Sequence, residues 1–292
     1  MTKLSFALWA LLTVVAIVAL FFLVNRPRKI IVDAPVAADF PEEGFSHAAF
    51  EALLREYVTP QGEVDYARWL ASDDSVLALN SYLAAVSRFS PENAPERFRT
   101  RSDALAYWLY GYNAYVIKGV LDRWPLSSVT DVKAPIEAVK GLGFFYQLRF
   151  SFGGEYLSLF SVENEKIRAR YRDARIHFVL NCASASCPVI RPELPTGDAL
   201  EALMTEAAAE FVNDPDNVLV DHGNQTVFLS SIFKWYKKDF INDLRAQGRP
   251  TERGLIEYVA GLATDSLRGD LDRADDYTVE FRDYDWRLNA AH

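Results

Sequence analysis

Cysteine is nearly absent, with two residues in 292, and histidine is scarce, with four. That excludes a disulfide scaffold and a four-cysteine zinc site, while leaving room for a small thiol or ligand site. An excess of positive charge is also missing. Asp and Glu number 40 against 31 Lys and Arg, a formal charge of −9. A nucleic-acid partner needs a basic face to neutralise phosphates, so that class is excluded. Glycine (14) and proline (13) are at ordinary frequency, which rules out collagen-like and low-complexity chains. The remainder, 50% hydrophobic and 24% charged, is a globular composition.

Charge is missing altogether between Leu4 and Val24, where 21 residues hold only Ser5 and Thr13 as polar members. As a helix this run spans about 31 Å at ~1.5 Å per residue, enough to cross a bilayer. A cleaved signal peptide has a shorter apolar stretch of ~7–15 residues with small residues close behind. The flank here is Asn25-Arg26-Pro27-Arg28-Lys29, a poor cleavage site. Residues 1–29 therefore read as an uncleaved anchor with a basic flank. Residues 30–45, interrupted by Pro35 and Pro41, read as a linker. Residues 46–292 read as one globular body. Setting aside Lys3, Arg26, Arg28 and Lys29 leaves 27 basic residues against 40 acidic ones. A second attachment to anionic lipid through a basic patch is therefore not expected.

Within the body, apolar periodicity predicts helices from Ser46, over 73–89, over 102–123 and over 197–214. The 102–123 segment is apolar nearly all round, which predicts a helix buried at the centre. Alternation around Gly153-Gly154 predicts a hairpin of 144–152 with 155–159, and a second joins 217–220 to 226–230. The run at 175–182 predicts a central strand, and 277–286 a last strand. Further helices are expected after Ser161, over 230–244 and over 251–263. The predicted fold class is α+β: a helix-rich single domain around a small, mostly antiparallel sheet, preceded by an N-terminal transmembrane helix.

Chemistry concentrates in residues 177–188, where His177, Asn181, Cys182 and Cys187 bracket a loop of Ala and Ser. Small side chains let a ligand reach backbone N–H groups, and a thiolate beside an imidazole is a strong nucleophile. In an extended strand His177 and Cys182 point to opposite faces, so their pairing needs a bend. Three readings of the cysteines stand: a small-loop disulfide, inert buried thiols, or a reactive site. The Cys-x4-Cys spacing is not the Cys-x2-Cys of zinc or redox motifs, so no metal and no cofactor is assigned. Asn113 lies inside the apolar helix, where a buried amide must bond a loop backbone or orient a base. Glu163 lies in a helical first turn, suited to the helix dipole or to acid/base work. Trp235-Tyr236, beside Lys237 and Lys238, read as an amphipathic helix with a solvated edge.

Five ordered segments carry a family resemblance. They are Gly62-Glu63-Val64-Asp65-Tyr66; Ala106-Tyr107-Trp108-Leu109 with Tyr112-Asn113-Ala114-Tyr115; and Leu157-Ser158-Leu159 leading to Val162-Glu163-Asn164. The others are Ile176-His177-Phe178-Val179-Leu180-Asn181-Cys182-Ala183-Ser184 with Ser186-Cys187-Pro188, and Leu229-Ser230-Ser231-Ile232-Phe233 with Trp235-Tyr236. Over roughly residues 46–245 the chain resembles the family called "domain of unknown function 547". Two positions depart from its pattern: Tyr110 stands where the family has Asn, and Asn164 where it has His.

Many bacterial members of that family resemble secreted or envelope proteins. This implies a single-pass cell-membrane protein with a periplasmic body, although the charges after the span favour a cytoplasmic one. The function expected is a membrane-anchored envelope module that binds a protein or small-molecule partner. The alternative is a thiol-dependent hydrolase or transferase using a cysteine near His177. In either case His177, Cys182, Cys187, Asn113 and Glu163 should converge on one cleft.

Overall fold

The computed structural model describes residues 3–291. The first helix, α1 (Lys3–Val24), covers the uncharged run. Its side chains are described at Trp9 and from Leu11 onward, and all of these except Phe21 are exposed. Among the described residues no helix is long and apolar enough to cross a membrane, so the expected transmembrane helix is not found there.

Beyond α1 the chain docks at once. The Asn25 amide exchanges two 3.1 Å hydrogen bonds with the backbone N–H and carbonyl of Ile136. Strand β1 (Arg28–Lys29) follows, and Ile30 donates its N–H to the Arg149 carbonyl at 2.8 Å and enters the core. Residues 31–45 form neither helix nor strand. They lie along the body, where Arg97 donates to the carbonyls of Pro41 and Gly44, both at 2.9 Å.

Helices α2 (Ala48–Tyr57), α3 (Tyr66–Leu70) and α4 (Asp73–Arg88) wrap around α5 (Arg101–Leu121). Helix α4 is N-capped by Ser72, whose hydroxyl accepts from the Ser75 N–H. A reciprocal capping box of Thr100 and Asp103 starts α5, satisfying donors that a helix N-terminus leaves orphaned. Every residue of α5 from Leu105 to Leu121 is buried, as its all-round apolar pattern predicts. It is the axis of one core that runs from Ile30 to Ala274.

The chain continues through β2 (Leu148–Phe152), β3 (Glu155–Leu157), α6 (Leu159–Ser161), α7 (Ala169–Tyr171) and α8 (Asp198–Asn213). Strands β4 (Val218–Asp221) and β5 (Thr226–Leu229) follow, then helices α9 (Ser231–Trp235), α10 (Lys237–Ala246), α11 (Leu255–Ala260) and α12 (Asp265–Asp272). Strand β6 (Thr278–Phe281) is last.

The fold is helix-rich α+β, but the strands make two small mixed sheets rather than one mostly antiparallel sheet. In the first, β2 pairs antiparallel with β3 and parallel with β1. In the second, β5 pairs antiparallel with β4 and parallel with β6. The hairpins form where expected, because their turns are local. Each parallel partner comes from far along the chain, as parallel pairing requires.

Two further expectations need correction. The 144–152 strand begins only at Leu148, because Leu142–Gln147 winds as a wide π-helical turn. A Cβ at Gly143 would stand 2.0 Å from the Val132 carbonyl oxygen, so this close approach requires glycine. The 175–182 run is not a central strand. Asp173 caps a 3-10 turn over Ala174–Phe178 by accepting from the Arg175 N–H, and residues 179–183 continue without regular structure.

Candidate functional site

The 179–188 loop is held by amides instead of a sheet ladder. Asn113 on α5 donates to the Val179 carbonyl and accepts from the Asn181 N–H, both at 2.9 Å. Asn181 in turn donates to the Pro188 carbonyl at 2.8 Å and accepts from the Ala183 N–H at 2.8 Å. All these groups are buried, where an unpaired polar atom is costly. The resulting bend brings Cys182 and Cys187 together as a disulfide. The Tyr284 hydroxyl lies 3.0 Å from one sulfur and 3.1 Å from the other.

His177 lies within the 3-10 turn, its ring stacked on Tyr236 at 3.8 Å. Its Nε2 lies 2.9 Å from Asp239 on α10, and Arg168 Nε donates to the same carboxylate oxygen at 2.7 Å. Burial would raise the Asp239 pKa, but the His177 and Arg168 hydrogen bonds prevail and hold it well below the usual carboxylate range. An ionised carboxylate only accepts, so Nε2 carries the hydrogen. Burial lowers the His177 pKa below its ordinary value, and the bond to Asp239 opposes this without reversing it. His177 is therefore a neutral imidazole at neutral pH, with Nδ1 as its basic nitrogen.

A second π-helical stretch, Val162–Arg168 between α6 and α7, supplies the facing wall. Such wide turns recur at functional sites. Glu163, Asn164 and Arg168 all reach the same cavity from it. Asn164 donates to the Phe160 carbonyl at 2.8 Å and accepts from Arg168. The residue standing where the family has histidine thus orients the guanidinium that neutralises Asp239. Tyr110, the other departure, donates to the Pro195 carbonyl at 2.7 Å, away from the cavity.

Four of the five residues chosen from sequence, Glu163, His177, Cys182 and Cys187, line this single cavity of about 220 Å³. Asn113 does not. It stands behind the loop and holds its backbone, which makes it a positioning residue. Aromatic rings supply most of the remaining wall, among them Tyr112, Tyr146, Trp235, Tyr236 and Trp286. Trp235, Tyr284 and Trp286 cluster with ring centroids 4.7 to 5.9 Å apart. Burial, and then the facing Glu163 charge, push the Tyr112 and Tyr236 hydroxyls well above their ordinary pKa. They stay protonated and can donate.

The sequence pattern predicts one amphipathic helix through Trp235-Tyr236. The helix instead breaks at Tyr236, between α9 and α10, and both rings join the cleft. Asp239 and Arg168 were missed: each lies in a charged helical run with nothing local to mark it. Tyr284 and Trp286 were missed because the last strand ends at Phe281 and the chain then folds back over the disulfide.

Both cysteines of the chain are in the bond, so neither presents a thiolate. Denatured protein without reductant should show no reactive thiol. The loop is short, so replacing both cysteines with serine should cost only about 2 kcal/mol by loop-closure entropy. At ~2–4 °C per kcal/mol, thermal denaturation should shift down by several degrees. An unchanged midpoint would mean that Asn113 and Asn181 alone fix the loop.

A wider groove of about 960 Å³ lies across the disulfide and shares Cys187 and Tyr284 with the smaller cavity. Of its charged residues, Arg191 pairs with Glu210 and Arg287 with Asp285, while Asp214, Asp216, Arg282 and Asp283 also line it. The smaller cavity is the candidate site because Glu163 and His177 line it and not the wider groove. Among the described residues, no group of three or more His, Cys, Asp or Glu side chains is placed to hold a metal ion.

No curated protein and no solved structure matches the chain. A family model, described as "Protein of unknown function, DUF547", matches residues 96–212. That stretch includes α5, Glu163, His177 and both cysteines, and so three of the five segments on which the sequence resemblance rests; those at 62–66 and 229–236 fall outside it. Over residues 96–212 the family model thus supports the resemblance seen in the sequence.

Proposed function

We propose that the chain is a single-pass, membrane-anchored envelope protein whose extracytoplasmic body binds a small ligand in the aromatic cleft beside the Cys182–Cys187 disulfide. The observation that carries this reading is the cleft itself, where a carboxylate, a neutral imidazole and donor tyrosines face one cavity. Its volume is below the ~300–1,000 Å³ of drug-sized sites, so the ligand is small or enters by one end. Glu163, toward which the Tyr236 hydroxyl already points, accepts from the ligand, Tyr112 donates to it, and the rings cover its apolar part. The disulfide supports an oxidising compartment. Support for the anchor comes from the uncharged run Leu4–Val24 and from the exposure of nearly all its described side chains, a surface that water disfavours. In the alternative reading, a thiol hydrolase or transferase, the disulfide must first be reduced.

Ligand-observed NMR with a library of small aromatic, sugar and amino-acid fragments tests the cleft. Hits should quench or shift the Trp235 and Trp286 fluorescence. Glu163→Gln should weaken them by about tenfold, as expected for losing a charge-assisted hydrogen bond, with little effect on stability. Hits insensitive both to Glu163→Gln and to Trp235→Ala would place binding elsewhere. The anchor is tested separately: the protein should stay with membranes through carbonate extraction, and a mature N-terminus beyond residue 29 would remove it.

A further inference from the structure

We infer that the loop of residues 133–142 is a second membrane contact, which rests the body on an anionic bilayer surface beside the anchor. This rests on the anchor reading above. Asn25 immediately follows the uncharged run, and its amide is bonded on both sides to the backbone of Ile136. The Arg28 guanidinium donates to the Lys133 carbonyl at 3.3 Å, and β1 is paired into the first sheet. The chain therefore leaves the helix with no slack. Whatever surface lies around Asn25 must lie at the level where the helix ends.

That surface is unlike the rest of the body. Ile136 and Val139 are 43% and 48% exposed on the loop, and Ile31 is 63% exposed just after β1. Around them Arg26, Arg28, Lys29, Lys133 and Lys140 are all exposed. Of the nearby acids in sequence, Glu137 and Asp131 are occupied in capping backbone N–H groups of the loop, which leaves the exposed Asp33 against five cations. Across the body acidic residues outnumber basic ones, so the composition argued against a basic patch. The fold collects one by bringing two distant segments together. Exposed apolar side chains ringed by lysine and arginine suit the headgroup boundary of an anionic bilayer, where each cation near the surface adds to the attraction. Lys140 also lines the ligand cavity and stands over the Trp286 ring at 5.0 Å, so one edge of the cleft adjoins this face.

The test uses the full chain in vesicles of phosphatidylcholine and phosphatidylglycerol. An environment-sensitive dye is placed singly at Ile136→Cys, Val139→Cys or, as a control on the second sheet, Leu219→Cys; the native cysteines are bonded and do not react. Lipids brominated in their acyl chains should quench the dye at positions 136 and 139 but not at 219. Lys133→Glu with Lys140→Glu should reduce that quenching by about twofold or more, as should phosphatidylcholine alone. Carbonate-resistant protein in which positions 136 and 139 are quenched no more than 219 would overturn the contact and leave the anchor standing. Release of the protein by carbonate would overturn both.

Discussion

Lowering the pH from 7 to 4 is expected to cost the body several kcal/mol of stability, and His47 should account for the largest identifiable share. His47 is buried against Phe45, Tyr82 and Tyr110. Burial pulls its pKa from 6.5 down to about 3. The Tyr82 hydroxyl, held protonated by burial, lies in hydrogen-bond contact with Nδ1 at 2.8 Å. Between these two pKa values the unfolded chain binds a proton that the native state refuses. The stabilising contribution is therefore complete above about pH 6.5 and is lost progressively as pH falls towards 3. At ~1.4 kcal/mol per unit, the loss by pH 4 is about 3 kcal/mol. His177 is depressed in the same direction by burial and adds to the slope. Asp239 is also held low, despite its burial, by His177 and Arg168. Its contribution is present above the ordinary carboxylate value and goes as pH falls below it. Urea unfolding at pH 7, 5.5 and 4 checks this. His47→Asn keeps a hydrogen-bond partner for Tyr82, acceptor or donor, and removes the titration, so its stability should fall by about 3 kcal/mol less over that range. Parallel pH profiles for the two proteins would show that His47 is not the titrating group.

Asn113→Leu should be among the most damaging single substitutions in the chain. The change keeps the volume roughly constant but strands the Val179 carbonyl and the Asn181 N–H, both now satisfied at 2.9 Å. Each stranded buried group costs about 1–3 kcal/mol, so a loss of about 2–6 kcal/mol is expected. The 179–188 loop then has no fixed path, and the cleft should lose its ligand together with its stability. Glu163→Gln, by contrast, should lose ligand while the unfolding midpoint holds. An Asn113→Leu protein within about 1 kcal/mol of wild type would mean that water replaces the amide, and that Asn113 does not position the loop.

Much of this molecule is legible without coordinates, and for identifiable reasons. Helix α5 is buried because its apolar residues leave no polar face. The two hairpins form because Gly153-Gly154 and residues 222–225 turn the chain locally. The cleft could be anticipated in part, because His177, Cys182 and Cys187 fall within a dozen residues and Glu163 lies close by. Periodicity misled at 175–182: an apolar run of that length suits a strand, but a single Asp173 cap and the Asn113 amide satisfy its backbone more cheaply than a distant partner strand. Asp239, Arg168 and Tyr284 escaped notice because their roles depend on where three separate elements stop. The break at Tyr236 sets Trp235 at the rim of the cleft, the π-helical winding at 162–168 swings Glu163 and Arg168 to the same side, and the tail after β6 lays Tyr284 on the sulfurs. The sequence by itself determined the segments, their hydrophobic faces and which residues carry reactive atoms, because those follow from short-range pattern. Only the tertiary structure decided the parallel strand pairings, the disulfide, the company His177 keeps and the basic edge beside Asn25. Each of these is a contact between residues far apart in the chain, and no local pattern specifies its partner.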